Sequence, residues 1–183
     1  MESRDMTTPQ EIRLIRLKND HSEMVNIRGE LIQWKAVKGD APYVEAYELT
    51  VKVRTIISST PSYRNEHVIS LELSEDYPNR PPLINMQTSP PPYHPNWYSN
   101  GNWCYGSWDI SEGLGHHVIR MIRTLQFDRD ITNPDSAANS DAKDWFLSKN
   151  TSDLFPCDRT NLPDPTKSRF TIQPEIKKKF QIQ

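Results

Sequence analysis

The residues with the most chemistry in them sit in one short run, His94-Pro95-Asn96-Trp97-Tyr98-Ser99-Asn100-Gly101-Asn102-Trp103-Cys104. A cysteine attacks as its thiolate, and a free thiol with a pKa near ~8.5 is only slightly ionised at neutral pH. No basic residue stands next to Cys104 in sequence to lower that value. His94, Asn96, Asn100 and Asn102 supply polar groups within ten positions, and Gly101 and Gly106 allow close backbone approach on either side. A cysteine in a loop of Gly and Trp is most often structural. Rigid aromatic neighbours and convergent polar groups are what shift Cys104 towards a nucleophile. The second cysteine, Cys157, has no such company and reads as a thiol without a task.

The elements that must hold this run in place follow from periodicity. Thr8-Pro9-Gln10-Glu11 opens a helix, with Thr8 as cap, Pro9 at the first helical position and Glu11 completing a capping box. Ile12, Leu14, Ile15, Leu17 and Met24 give its expected apolar stripe, with Arg13, Arg16 and Lys18 outside it as a solvated basic face. From Leu31 the period changes to two. Strands are predicted over Leu31–Val37, Tyr47–Thr55, His67–Leu73 and Leu83–Gln87, with Ser58–Asn65 as a loop and the short connections of an antiparallel meander.

Residues 88–115 show no regular period but hold Tyr93, Trp97, Tyr98, Trp103, Tyr105 and Trp108, together with four of the six glycines. Loops of this length are functional or disordered, and the aromatics argue for order. A helix is predicted over His117–Phe127, with Val118, Ile119, Met121, Ile122 and Leu125 inward. After Asn133-Pro134-Asp135 a second is predicted near Asn139–Leu147. From Ser148 the chain is polar, broken by Pro156, Pro163, Pro165 and Pro174, and closes on Lys177-Lys178-Lys179. That composition predicts an extended or disordered tail. Helix, grouped strands, loop and helices make an α+β fold.

Composition narrows the function classes. Of 183 residues, 22 are basic and 24 acidic, a formal charge of −2. That balance argues against a nucleic-acid binder. No apolar run approaches the roughly 18 residues of a membrane span, and Met1–Thr8 lacks the apolar core of a signal peptide. Two cysteines make no disulfide framework, so the chain reads as cytoplasmic. A zinc site built from Cys104, Cys157 and some of His94, His116 and His117 has no Cys-x-x-Cys pair behind it, so neither a metal nor a cofactor is expected. Seven of the 15 prolines lie between Pro78 and Pro95.

Four segments, taken in order, resemble the ubiquitin-conjugating enzymes. Tyr77-Pro78-Asn79-Arg80-Pro81-Pro82 is similar to their Tyr-Pro-x-x-Pro-Pro motif, and His94-Pro95-Asn96 to their His-Pro-Asn. Cys104 follows Asn96 by eight residues, the family's spacing to its active-site cysteine. Asn133-Pro134-Asp135-Ser136-Ala137-Ala138-Asn139 is similar to the segment entering the next helix. The resemblance covers about Pro9 to Asn150, which places a catalytic domain over 1–150 and the polar tail over 151–183.

The resemblance implies a UBC-like fold and an acyl carrier. Cys104 would accept the C-terminal carboxylate of a ubiquitin-like modifier as a thioester from an activating enzyme, and the lysine of a target would then attack it. His94 would brace the loop, with a role as base the competing assignment. Asn96 would stabilise charge on the carbonyl oxygen or order the loop; the bland alternative is a turn residue beside proline. Tyr98 matches a tyrosine of the enzyme that conjugates the small ubiquitin-like modifier, where it positions the lysine and favours its neutral form. Ser136, with Asp135 beside it, matches the gate next to the cysteine; helix capping is the alternative for both. Arg13, Arg16 and Lys18 match in kind the surface shown to activating enzymes.

Two departures matter. Asn79 stands where the family often has an aromatic, and Trp108-Asp109-Ile110-Ser111-Glu112-Gly113-Leu114 lacks the usual Ser-Pro-Ala. Both halves of the usual ligase contact are altered, which argues against a conventional RING partner. The polar tail also marks a divergent member and suits a bacterial or viral homologue. Bacterial relatives occur in antiphage operons, where some conjugate a ubiquitin-like protein and others attach a nucleotide second-messenger synthase by its C-terminus. An inactive variant that only binds a modifier is the remaining alternative, and the presence of Cys104 counts against it.

Overall fold

The computed structural model describes residues 8–149 and 153–167. The first helix, α1 (Pro9–Ile27), begins as expected: the Thr8 hydroxyl accepts from Glu11 N at 3.2 Å, while the Glu11 carboxylate accepts from Thr8 N at 2.7 Å. The reciprocal pair satisfies two backbone donors that the first turn would otherwise leave free.

Four strands make the main sheet: β1 (Ile32–Lys38), β2 (Ala46–Val51), β5 (His67–Glu72) and β6 (Leu83–Met86), in the order β1-β2-β5-β6 and antiparallel throughout. Leu49 pairs with Trp34 on one side and with Ile69 on the other, and Ile69 with Met86. The meander is interrupted once. Within and beside the stretch expected as a loop, β3 (Thr55–Ile56) and β4 (Tyr63–Arg64) form a small separate ribbon.

The sheet's inner face presents Ile32, Trp34, Tyr47, Leu49, Val51, Ile69, Leu71, Ile84 and Met86 to one core shared with both long helices. The second helix, α2 (Leu114–Leu125), buries Val118, Met121, Ile122 and Leu125 there. It starts three residues earlier than the periodicity indicated. The reason lies in α1, whose acids cap it: Leu114 N donates to Asp20 Oδ1 at 2.9 Å and Gly115 N to Glu23 Oε2 at 2.9 Å. The approach is close enough that a Cβ at Gly115 would lie 2.7 Å from the Glu23 Cβ and 2.9 Å from the Pro165 Cβ. A 3-10 turn (Pro134–Ser136) leads to α3 (Ser140–Lys149).

Two expectations need correcting. Only part of the expected apolar stripe of α1 is buried: Leu17 and Met24 are in the core, while Ile12, Leu14 and Ile15 are 51%, 42% and 56% exposed. The helix turns Arg13, Arg16, Leu17, Asp20, Met24 and Ile27 inward, so its first half buries a polar network and only its second half an apolar one.

The tail, in the part that is described, is packed against the domain. Phe155 is 2% exposed and forms a second core with Ile56, Phe127 and Phe146. From there the irregular segment 157–165 is tied to the body by Cys157 N to Gln126 O at 2.9 Å, Gln126 Nε2 to Thr160 O at 2.9 Å, and Asn26 Nδ2 to Pro165 O at 2.7 Å. One buried aromatic, which the polar and proline-rich composition obscured, anchors it. Lys177–Lys179 lie outside the described residues. Among the described residues no helix is long and apolar enough to cross a membrane.

Candidate active site

The loop from Thr88 to Gly113 is held by its aromatics, as their density predicted. Trp97 and Trp103 pair as an isolated bridge, and both are buried. The Trp97 indole donates to Thr124 Oγ1 on α2 at 3.0 Å, and the Trp108 indole to Pro78 O at 2.8 Å. The second of these joins the loop to the Tyr77–Pro82 motif.

Cys104 leaves this bridge half-buried, its N–H donating to Asn96 O at 2.9 Å. It opens into a cleft of about 480 Å³ whose lining includes Asn96, Tyr105, Arg120, Asn133, Asp135 and Ser136. The nearest polar atom to its sulfur among the described hydrogen bonds is Ser136 O, at 3.9 Å.

His94 lies beneath this cleft with no exposure. Its Nδ1 accepts from Asn96 N at 2.9 Å and its Nε2 faces Thr132 Oγ1 at 3.3 Å. An Nδ1 that accepts fixes the neutral tautomer protonated at Nε2. Burial holds its pKa down at about 3, so the ring carries no charge at neutral pH. Both nitrogens are used inside the fold. Behind it, the ring of Phe127 sits 4.3 Å from the imidazole.

Asn96, 4% exposed, bridges the two sides of the cleft. Its Nδ2 donates to Asn133 O at 2.8 Å and Ser136 O at 3.1 Å, and its Oδ1 accepts from Asn133 N at 2.8 Å. Both amide hydrogens are thus committed to the gate segment. Capping falls to other residues: Asn133 Oδ1 accepts from Asp135 N at 3.0 Å and Asn139 Oδ1 from Ala142 N at 3.0 Å. The Asp135 and Ser136 side chains stay exposed at the cleft mouth.

Tyr98 lines a neighbouring groove that shares Trp103 and Tyr105 with the Cys104 cleft. A tight turn follows it, with Gly101 N donating to Tyr98 O at 2.9 Å, and Val37, Leu83 and Asn85 line the same groove. Cys157 is in neither place. Its thiol donates to Arg54 O at 3.3 Å, and burial pushes its pKa up to about 12. His116 and His117 face Glu23 and Glu112 respectively, each at 3.2 Å.

The basic face of α1 also differs from its expected arrangement. Arg13 pairs with Glu45 at 2.8 Å and donates to Ser74 O at 3.2 Å. Arg16 binds Asp20 at 2.8 Å and Tyr77 Oη at 3.2 Å, and reaches the carbonyl of Glu112 in the loop after the cysteine. Tyr77 in turn donates to Asp20 Oδ2 at 2.5 Å. Burial raises the Asp20 carboxyl against the downward pull of Tyr77 and Arg16. Only Lys18 of the three basic residues is exposed. Sequence reasoning passed over Asp20, although its spacing of four from Arg16 was a signal that the two share a face.

A helix, a four-stranded meander, a cysteine on an ordered irregular loop and a neutral histidine bracing an asparagine define the UBC-like α+β class. The ubiquitin-conjugating enzyme model matches residues 16–151, and the chain belongs to that family. It is 32% identical over 81 residues to Ubiquitin-conjugating enzyme E2 1 of Caenorhabditis elegans, covering 44% of this chain and 41% of that protein. It is 31% identical over 78 residues to Ubiquitin-conjugating enzyme E2 3 of Arabidopsis thaliana, covering 43% of this chain and 51% of that protein. The matched stretch therefore spans about half or less of each relative's length.

Proposed function

We propose that the chain carries a ubiquitin-like modifier, or another protein with a free C-terminus, as a thioester on Cys104 and transfers it to an amine of a target, a lysine in the simplest case. The observation that carries this reading is a half-buried thiol opening into a cleft whose two sides are bridged by the buried Asn96. In loading, the Cys104 thiolate attacks the thioester carbonyl presented by an activating enzyme. A new C–S bond forms, and the old one breaks with its electron pair leaving on the activating enzyme's thiolate. In transfer, a neutral amine attacks that carbonyl, the C–N bond forms, the C–S bond breaks and the amine proton passes to solvent.

In this reading Asn96 acts through the gate. It holds the carbonyls of Asn133 and Ser136 back and so leaves the face of the thioester open to the amine. Asp135, exposed at the mouth, supplies a negative charge on the amine's approach. Contact with the activating enzyme falls to Lys18 and the exposed Ile12 and Ile15, while Arg13 and Arg16 hold the helix that carries them. Asn79 and the 108–114 sequence support action without a conventional RING partner.

The test is a gel run with and without reductant after incubation with ATP, a candidate activating enzyme and its modifier. A reductant-sensitive adduct that disappears in Cys104→Ala is the expected result. An adduct that survives Cys104→Ala, or none with any modifier tried, would remove the reading.

A further inference from the structure

The chain after Cys104 has no helix or strand to hold it, yet Tyr105, Gly106 and Ser107 form one wall of the cleft. Arg120, midway along α2, reaches across to this wall. Its Nη1 donates to Tyr105 O at 2.5 Å and its Nη2 to Ser107 O at 3.3 Å. Gly106 between them is left-handed, with φ of 75°, and a Cβ there would meet nothing within 4 Å. Glycine is therefore needed for backbone direction and not for space. That direction lets the carbonyls on both sides of it meet one guanidinium.

The guanidinium is itself fixed. Glu112 takes it along one edge, Nε to Oε1 at 2.9 Å and Nη2 to Oε2 at 2.8 Å, the bidentate fork that a carboxylate offers arginine. The group also lies 5.3 Å from the ring centre of Trp103, the residue before Cys104. His117, packed against Trp103 and Trp108, closes the cluster at 3.2 Å from Nη2. Residues on both sides of the cysteine thus converge on a single side chain.

We propose that Arg120 is a positioning residue for acyl transfer: it sets the Tyr105–Ser107 wall against which the modifier's C-terminal segment lies when its last carbonyl reaches Cys104. The inference rests on the conjugating reading above. Arg120 touches no reacting atom. It acts through the two carbonyls, and only a planar fork serves both of them and Glu112 together. Lysine keeps the charge and the helix but cannot hold all three.

The experiment compares the full chain with Arg120→Lys, Gly106→Ala and, as a control, Arg123→Met. Arg123 lies on the same helix but pairs with Asp128, at 2.7 Å, and with the 87% exposed Asp130 at the cleft's rim, at 3.8 Å, and touches neither Tyr105 nor Ser107. Single-turnover loading from a charged activating enzyme is measured across enzyme concentration, together with alkylation of Cys104 by iodoacetamide, read on the Cys104 peptide by mass spectrometry. The expected result is a loading rate constant at saturation about tenfold lower in Arg120→Lys and Gly106→Ala, with half-saturation within about twofold. Alkylation stays near wild type, because a small reagent does not need the wall, and Arg123→Met loads normally. Arg120→Lys and Gly106→Ala both loading at the wild-type rate would overturn the proposal. So would an alkylation defect equal to the loading defect, which would mark a general loss of structure. A wild-type chain that never loads would instead defeat the conjugating reading, and this inference with it.

Discussion

The two walls of the Cys104 cleft are built by opposite means. On one side, His94 and Asn96 are buried, neutral and saturated, and each hydrogen bond runs to backbone or to a neighbouring side chain. On the other, Arg120 and Glu112 form an ionic clamp whose side chains are 24% and 18% exposed. A buried neutral network has no slack, since removing one partner leaves the other orphaned out of water. A partly solvated charge pair can exchange partners with water and is screened by salt. The first wall is thus a rigid reference and the second an adjustable one.

The first wall is most vulnerable from behind. Phe155 stacks on Phe127 at 5.0 Å, and Phe127 backs His94 at 4.3 Å. Phe155→Ala is expected to cost about 3–5 kcal/mol by urea unfolding, the usual range for a buried aromatic, and to slow transfer although the residue is remote from the cleft. Wild-type transfer in that variant would mean that the gate does not depend on this stack.

A more local break is Asn96→Asp. It keeps the acceptor for Asn133 N but turns a carboxylate towards the carbonyls of Asn133 and Ser136. A loss of about 2–3 kcal/mol is expected, with transfer to lysine slowed more than loading. Equal slowing of both steps would show that Asn96 serves only the fold.

Acid acts on the buried histidines first and on Glu112 only later. His94 is depressed to about 3 by burial, so the unfolded chain binds its proton first. Its contribution is complete above about pH 6.5 and is lost as pH falls towards 3, at about 1.4 kcal/mol per pH unit. His67, depressed to about 4 by burial, adds in the same direction. Glu112 enters later. Hydrogen bonds from His117 and Arg120 outweigh burial and hold it at about 2, so its contribution is present above pH 4.5 and fades below. Unfolding measured at pH 7, 6 and 5 should therefore report His94 and His67 together with His21 and His117, whose pKa values burial also lowers. His94→Gln should remove about 1.4 kcal/mol per pH unit from that slope. An unchanged slope would show that His94 does not titrate in this way.

The smallest effect concerns the loop beyond the second wall. Trp108→Phe keeps the ring contacts with His117 and Tyr77 but loses the bond to Pro78 O. About 1 kcal/mol of stability is expected, with little change in loading. A large loading defect there would make the second wall as unforgiving as the first.

What could be read from the sequence was what depends on near neighbours. The Thr8–Glu11 cap spans three residues, the strands declare themselves by alternation, and the His94–Cys104 motif is a linear spacing. What could not be read depends on partners far along the chain. The face α1 buries is decided by Arg16 meeting Tyr77, 61 positions away, and the loop at Glu112, 96 positions away. Tyr98 matches a motif position, but which groove its exposed ring lines is decided by packing with Val37, Leu83 and Asn85, far from it in sequence or out of its periodicity. The docking of Phe155 depends on a pit made jointly by Ile56, Phe127 and Phe146, none of which is near it in periodicity or motif. Asn96 was singled out, but its bridging bonds come from a segment 37 to 40 residues on.

The left-handed Phe127 carries a practical consequence. A bulky residue at φ of 56°, just past the end of α2, holds that shape only while its surroundings insist on it. The aromatic ring that insists is Phe155, beyond the last helix and beyond the stretch that the family model matches. Trimming this chain to its recognisable domain would therefore remove the packing support under the histidine that orders the cleft. Any truncation, fusion or split of this protein that ends at Lys149 loses Phe155 and the tie from Asn26 to Pro165.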